Sequence, residues 1–301
     1  MSIGKAICSV VLGLIASGLS TLTIAEEVKR ISVNGYEFAY VDAGQGEPVI
    51  FVHGGLQDYR MWSEQLPKFA TRYRAIAYSR RNNYPNEVSP DGTPDSAAPD
   101  VHGEDLAGLL RALGYSKARI IAHSSGAYAA LFFAAKHPDM VVSLALNEPP
   151  ALGLLNGLPD TGDMLKAWVA NMAPAREALG MGDIQRGIPM IVDAIGGPGA
   201  YEHRSDAQRK MNLDNVASFQ ADATTKRPRP VFTCDMAKAI TAPTLLSNGE
   251  RSPRLFHRVV DQLELCLPNR ERIEIAASSH TVSWENPGAY DQAILSFMEK
   301  H

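Results

Sequence analysis

Short apolar runs alternate with longer stretches of helical spacing along most of this chain. Val28–Val33 and Tyr36–Val41 read as two strands around Asn34-Gly35, a hairpin signal. Gly44-Gln45-Gly46 then turns the chain into Pro48-Val49-Ile50-Phe51-Val52. Such an unbroken apolar run suits a strand covered on both faces, as in a parallel sheet. Further strands are predicted at Tyr73–Tyr78, Arg119–Ala122, Val141–Leu146, Thr244–Ser247 and Ile273–Ala276. Helical spacing predicts helices over Tyr59–Ala70, Val101–Leu113, Gly126–Lys136, Leu255–Leu265 and Pro287–Lys300, with Gly114 as a C-terminal stop for the second. Residues 82–100, rich in Pro, Asn, Asp and Ser, read as loop. Strand–helix alternation implies an α/β fold with a mostly parallel, doubly wound sheet flanked by helices. Over 151–240 the alternation lapses into Gly- and Pro-punctuated helical segments. That stretch is expected to be a helical lid inserted between two parts of one core, 26–150 and 241–301.

The segment Ile120-Ile121-Ala122-His123-Ser124-Ser125-Gly126-Ala127 carries the chemistry. A strand that turns sharply into a helix exposes the side chain at its tip, and the residues two before and two after that tip are crowded. Ala122 and Gly126 are small enough to relieve the crowding around Ser124, with Ala in place of the first Gly of G-x-S-x-G. Choosing Ser125 instead would place the bulky His123 at a tight position. Without a base nearby, a serine at such a place is only a good helix N-cap.

Four features in order resemble the α/β-hydrolase family: His53-Gly54-Gly55 after a strand, the elbow at Ser124, Glu148 after the next strand, and His280 near the end. The resemblance covers roughly 28–301. It implies Ser124 as nucleophile, His280 as base, and an oxyanion hole from the N–H of Ser125 and of Gly55 or Leu56. Of eight histidines, His280 alone follows the last strand in this way. His53 is expected to shape its loop; His102, His137, His203 and His257 read as helix or surface residues. Where many members carry an acidic Asp after the strand 244–247, this chain has Asn248-Gly249-Glu250-Arg251-Ser252. Glu148 is therefore the expected acid, with Glu250 as the alternative. A second departure is Ser79-Arg80-Arg81-Asn82, where the family often has an Asp-x-x-Gly-like loop. Its arginines read as solvated surface charges, or as ligands for a substrate carboxylate or supports for the lid.

The implied activity is hydrolysis of a small carboxylic ester or lactone through an acyl-enzyme, with no cofactor and no metal. The same triad could instead serve C–C bond hydrolysis or perhydrolysis, or survive in a ligand-binding module with little turnover. Epoxide and haloalkane hydrolysis are disfavoured, since the members that perform them carry Asp at the elbow. Leu152, Leu154, Leu155, Met164 and Trp168 suggest an apolar acyl pocket or ordinary core.

Composition adds limits. Apolar residues make up 45% and charged residues 21%, ordinary for a globular chain, and a net charge of −4 without a basic stretch argues against nucleic acid as a partner. Lys5, the apolar stretch from Ala6 to about Leu22, and Thr23-Ile24-Ala25 form a signal-peptide pattern over 1–25, with an uncleaved anchor as the alternative. The expected location is periplasmic or secreted, with no stable membrane insertion after cleavage. Cys234 and Cys266 could pair there or remain separate thiols, and neither has ligands at zinc spacing.

Overall fold

The structure is a computed structural model that describes residues 27–88, 98–224 and 230–301, with main chain only over 221–224. The signal-peptide pattern of 1–25 lies outside the described residues. Eight strands form one sheet: β1 (Lys29–Val33), β2 (Tyr36–Ala43), β3 (Pro48–Val52), β4 (Arg74–Tyr78), β5 (Ala118–His123), β6 (Val141–Asn147), β7 (Thr244–Gly249) and β8 (Arg270–Ile275). They lie in the order β1-β2-β4-β3-β5-β6-β7-β8. The β1–β2 and β2–β4 pairs are antiparallel; all the others are parallel.

Alternate residues of β3 enter two separate cores, as a two-residue period dictates. Ile50 and Val52 pack with Leu106, Leu110, Phe133 and Val259. Val49 and Phe51 pack with Trp62, Phe69, Tyr290 and Phe297. The first face is covered by α2 (Pro99–Ala112), α3 (Ser125–Lys136) and α9 (Arg254–Cys266), and the second by α1 (Leu66–Phe69) and α11 (Pro287–Lys300), preceded by the short α10 (Val282–Glu285).

Two expectations are corrected. The helix expected over Tyr59–Ala70 is a 3-10 turn, Tyr59–Trp62, followed by α1. Pro67 has no N–H to donate back to Ser63, so it opens a new helix instead of continuing one. Strand β8 begins at Arg270, three residues before the expected start. It pairs only with β7. As an edge strand it tolerates the charged Arg270-Glu271-Arg272 that masks its apolar pattern.

Between β6 and β7 the described chain is helical: α4 (Gly162–Gly180), α5 (Ile184–Gly196), α6 (Asp206–Asp214), α7 (Val216–Thr224) and α8 (Cys234–Lys238). Helices α4 and α5 share an apolar cluster of Met172, Leu179, Ile188 and Ile191 that also receives Leu56. Asn212 Nδ2 donates to the Leu56 carbonyl at 2.9 Å, and Asn215 Nδ2 to Asp58 at 2.6 Å. These bonds fasten α6 over the loop that follows β3. A disulfide joins Cys234 to Cys266, tying α8 to the end of α9. Among the described residues, no helix is long and apolar enough to cross a membrane.

Candidate active site

Five adjacent parallel strands, β3 and β5 to β8, deliver the candidate residues at their carboxyl ends, where open α/β sheets place their ligand crevices. Ser124 follows β5 with φ 51° and ψ −122°, a conformation that costs a non-glycine residue on the order of 1–3 kcal/mol. Its N–H donates to the Asn147 carbonyl at 2.8 Å, and its carbonyl accepts from Tyr128 N–H at 2.9 Å. The strained residue is thereby pinned between β6 and the first turn of α3. Gly126 is needed here for a reason the sequence did not show. A Cβ on it would sit 2.3 Å from the His53 carbonyl oxygen, so the crowding comes from the end of β3.

Glu148 follows β6 with φ 43° and is fully buried. Its Oε1 accepts the Gly249 N–H at 2.9 Å, and its Oε2 accepts from His280 Nδ1 at 2.5 Å. Because a carboxylate can only accept from Nδ1–H, His280 holds its free lone pair at Nε2. The His280 ring is stacked on Phe256 with centroids 4.4 Å apart and meets His123 at 4.8 Å. Gly249 lets this loop cross β7: a Cβ there would lie 2.2 Å from the Ser279 carbonyl oxygen. Glu250, the alternative acid, instead turns to the exposed side and accepts from Ala277 N–H at 2.7 Å.

Ser124, His280, Gly55, Leu56 and Ser125 all line one cavity of about 240 Å³. The Ser125 N–H lies in the first turn of α3, where helical N–H groups have no partner within the helix and the dipole favours negative charge. A hydroxyl at a bend, an imidazole aligned by a carboxylate, and N–H donors on one cavity wall are the parts required for acyl transfer. A family model described as alpha/beta hydrolase fold matches residues 47–287. The chain belongs to that family.

Within the family, the chain is 33% identical over 294 residues to Epoxide hydrolase 4 of Mus musculus, covering 90% of this chain and 79% of that protein. It is 31% identical over 140 residues to Soluble epoxide hydrolase of Corynebacterium sp. (strain C12), a match spanning 46% of each. The chain thus spans less than half the length of several curated relatives, this one among them. The enol-lactonase from Burkholderia xenovorans LB400 superposes with a TM-score of 0.72 at 16% identity, covering 90% of this chain and 100% of that one. At that identity the likeness is one of fold.

Several family positions depart from expectation. Arg80 and Arg81 are not solvated surface charges. Arg81 is paired with the buried Asp105 at 2.5 Å, and Arg80 is 5% exposed. Arg80 Nη2 donates to the Gly54 carbonyl at 2.8 Å and to Ser125 Oγ at 2.9 Å. Asn82 takes φ 60° where the family loop has glycine. His102, expected on a helix or at the surface, does lie on α2, but it is buried and lines the cavity. Its place on the inner face of α2, one turn before Leu106, was the available signal. Of the five apolar residues suggested for an acyl pocket, Leu152 and Trp168 line the cavity. Leu154, Leu155 and Met164 pack into the core instead. Met172, Ile191, Val192 and Phe219 complete the apolar wall. No cluster of metal-ligating side chains occurs among the described residues.

Three buried imidazoles surround the site without being aligned by a carboxylate. His53 accepts the Arg80 N–H at Nε2 and donates from Nδ1 to the Gly54 carbonyl, so it is neutral. His123 Nδ1 donates to Asn147 Oδ1 at 2.7 Å, because Asn147 Nδ2 is already turned to the Ser247 carbonyl. Burial holds His53, His102 and His123 well below the usual imidazole value; repulsion adds to this, from Arg80 for the first two and, for the third, from His280 whenever that ring is protonated. Each binds fewer protons folded than unfolded. Their stabilisation is therefore complete above the unfolded value of about 6.5 and is lost as the pH falls below it. Three such groups set a slope of up to about 4 kcal/mol per pH unit. Thermal unfolding followed from pH 7.5 to pH 5 is expected to show a steep drop in Tm beginning near pH 6.5. A flat profile would contradict neutral burial of these rings.

Proposed function

We propose that this chain is a serine hydrolase that cleaves a small carboxylic ester or lactone through an acyl-enzyme. Ser124 Oγ attacks the acyl carbon as His280 Nε2 takes its proton, and Glu148 stabilises the imidazolium that results. The Ser125 N–H and one from Gly55 or Leu56 receive the oxyanion. His280 returns the proton to the departing alcohol. Water, deprotonated by the same imidazole, then releases the acid and restores Ser124. The helices between β6 and β7 act as a lid over this reaction, and a cavity smaller than the ~300–1,000 Å³ of common ligand pockets limits the substrate's size.

The observation that carries this reading is a serine at the strained elbow, in one cavity with an imidazole bonded to a buried carboxylate. It also argues against epoxide opening, which the names of the curated relatives would suggest. A carboxylate nucleophile forms an ester that water can cleave. Opening an epoxide with Ser124 would leave an ether, with no carbonyl for water to attack. An acyl group on the same oxygen remains hydrolysable. Purified protein is expected to release acid from p-nitrophenyl acetate, p-nitrophenyl butyrate and short lactones, and to form no diol from styrene oxide. Diol formation without ester turnover would overturn the proposal. We further propose export to the periplasm or beyond. The 1–25 pattern and the Cys234–Cys266 disulfide, a bond typical of oxidising compartments, both support that location.

A further inference from the structure

The cavity above Ser124 is lined by four arginines, Arg80, Arg81, Arg176 and Arg204, and among its described lining residues there is no aspartate or glutamate. Arg81 is committed to Asp105. Arg80 lies in the cavity floor, bonded to Ser125 Oγ and to the carbonyl of Gly54, on the oxyanion loop. Arg204, from the turn before α6, is linked to the same loop through Asn212. Its Nη1 donates to Asn212 Oδ1 at 2.5 Å, and Asn212 in turn donates to the Leu56 carbonyl. The Arg204 guanidinium lies 5.5 Å from the Trp284 ring. Both guanidiniums bear on the imidazole of His123, the residue before the nucleophile, and oppose its protonation.

The acidic groups nearest Arg204 are engaged elsewhere. Glu285 accepts the Ser279 N–H and pairs with Arg251, and Asp193 accepts the Tyr201 N–H. Burial pulls the Arg204 pKa down to about 10, against the weaker pull of Glu285, Tyr201 and Asp193, which leaves it charged at neutral pH. A half-buried cation that no described carboxylate meets at close range is costly, and a cavity of one sign with low-dielectric walls concentrates ions of the other. His102 adds a neutral, buried Nδ1 on the same cavity, with no hydrogen-bond partner among the described residues.

We propose, on the serine-hydrolase reading above, that the substrate is a short ester or lactone bearing a free carboxylate, and that Arg204 together with Arg80 holds that carboxylate. The two arginines flank the Gly54–Leu56 loop, so the anion is held close to the scissile carbonyl. The small cavity volume then favours acyl chains of a few carbons. Apolar walls at Leu152, Trp168 and Met172 cover the methylenes between the two ends.

The test compares monoethyl glutarate with its uncharged isostere, the ethyl ester of glutaric monoamide, by pH-stat. Wild type is expected to prefer the charged ester roughly 10- to 100-fold in kcat/KM, the range of a hydrogen bond to a charged group. Arg204→Met is expected to bring the ratio near one and Arg204→Lys to restore part of it. Reading a ratio within each variant separates recognition from any loss of folded protein. Equal or faster turnover of the amide ester by wild type, or an unchanged ratio in Arg204→Met, overturns the carboxylate subsite and leaves the hydrolase reading standing. Calorimetric titration of glutarate into Ser124→Ala reads the subsite without turnover. Glutarate binding that depends on Arg204, in a protein whose wild type hydrolyses neither ester, would keep the subsite and remove the serine-hydrolase reading. No binding and no turnover would remove both.

Discussion

Ser124→Ala is expected to lower kcat for ester hydrolysis by about 10⁴- to 10⁶-fold while leaving KM within a few-fold of wild type. The hydroxyl is the only group at the elbow tip able to form the acyl intermediate, and Ser125, one residue on, begins α3 and accepts from Arg80. What remains should be the small acceleration that binding and oxyanion donors provide on their own. The fold should not suffer, because alanine keeps the Cβ and the backbone bonds to Asn147 and Tyr128. Steady-state kinetics with p-nitrophenyl butyrate, alongside the melting temperature, checks both halves. A loss of less than tenfold in a folded variant would move the nucleophile elsewhere.

Glu148→Gln is the second large effect. The Gly249 N–H holds Oε1 as an acceptor, so the glutamine carbonyl oxygen is expected to stay on that side. Its amide NH2 then faces His280 Nδ1, which can meet it only by accepting. That choice moves the ring proton to Nε2, on the side where the base must be free, and leaves the imidazolium without its carboxylate. The equivalent swap in a Ser-His-Asp triad drops kcat by about 10⁴, and a loss of that order is expected here. Glu250→Gln should stay within about threefold, since Glu250 holds only the exposed turn at Ala277. The reverse ranking would transfer the role of acid to Glu250.

Much of this was legible in the chain because local rules and the fold agree. β3 runs over 48–52 as its unbroken apolar run requires, and α11 spans 287–300 from its N-terminal proline to the charged end. Ser124, Glu148 and His280 could be placed after three separate strands from strand–helix rhythm alone, and the sheet order puts those strands within four neighbours. Charge misled the reading in two ways. The charged start of β8 hid the strand's first three residues, which an exposed edge tolerates. Arg80 as a solvated surface charge, and His102 as no more than a helix or surface residue, were misjudged because their burial depends on a cavity that only the packed helices create. Asp105, 24 residues after Arg81, takes up that arginine only once α2 is docked, and nothing near Arg81 in sequence announces it.

The most direct test is the position of a covalent adduct. The protein is treated with an active-site fluorophosphonate and digested, and the modified residue is assigned by tandem mass spectrometry. The account predicts one phosphonylated residue, Ser124, with labelling abolished in Ser124→Ala. An adduct on Ser125 or on any other serine, or an unlabelled but folded wild-type protein, would contradict it.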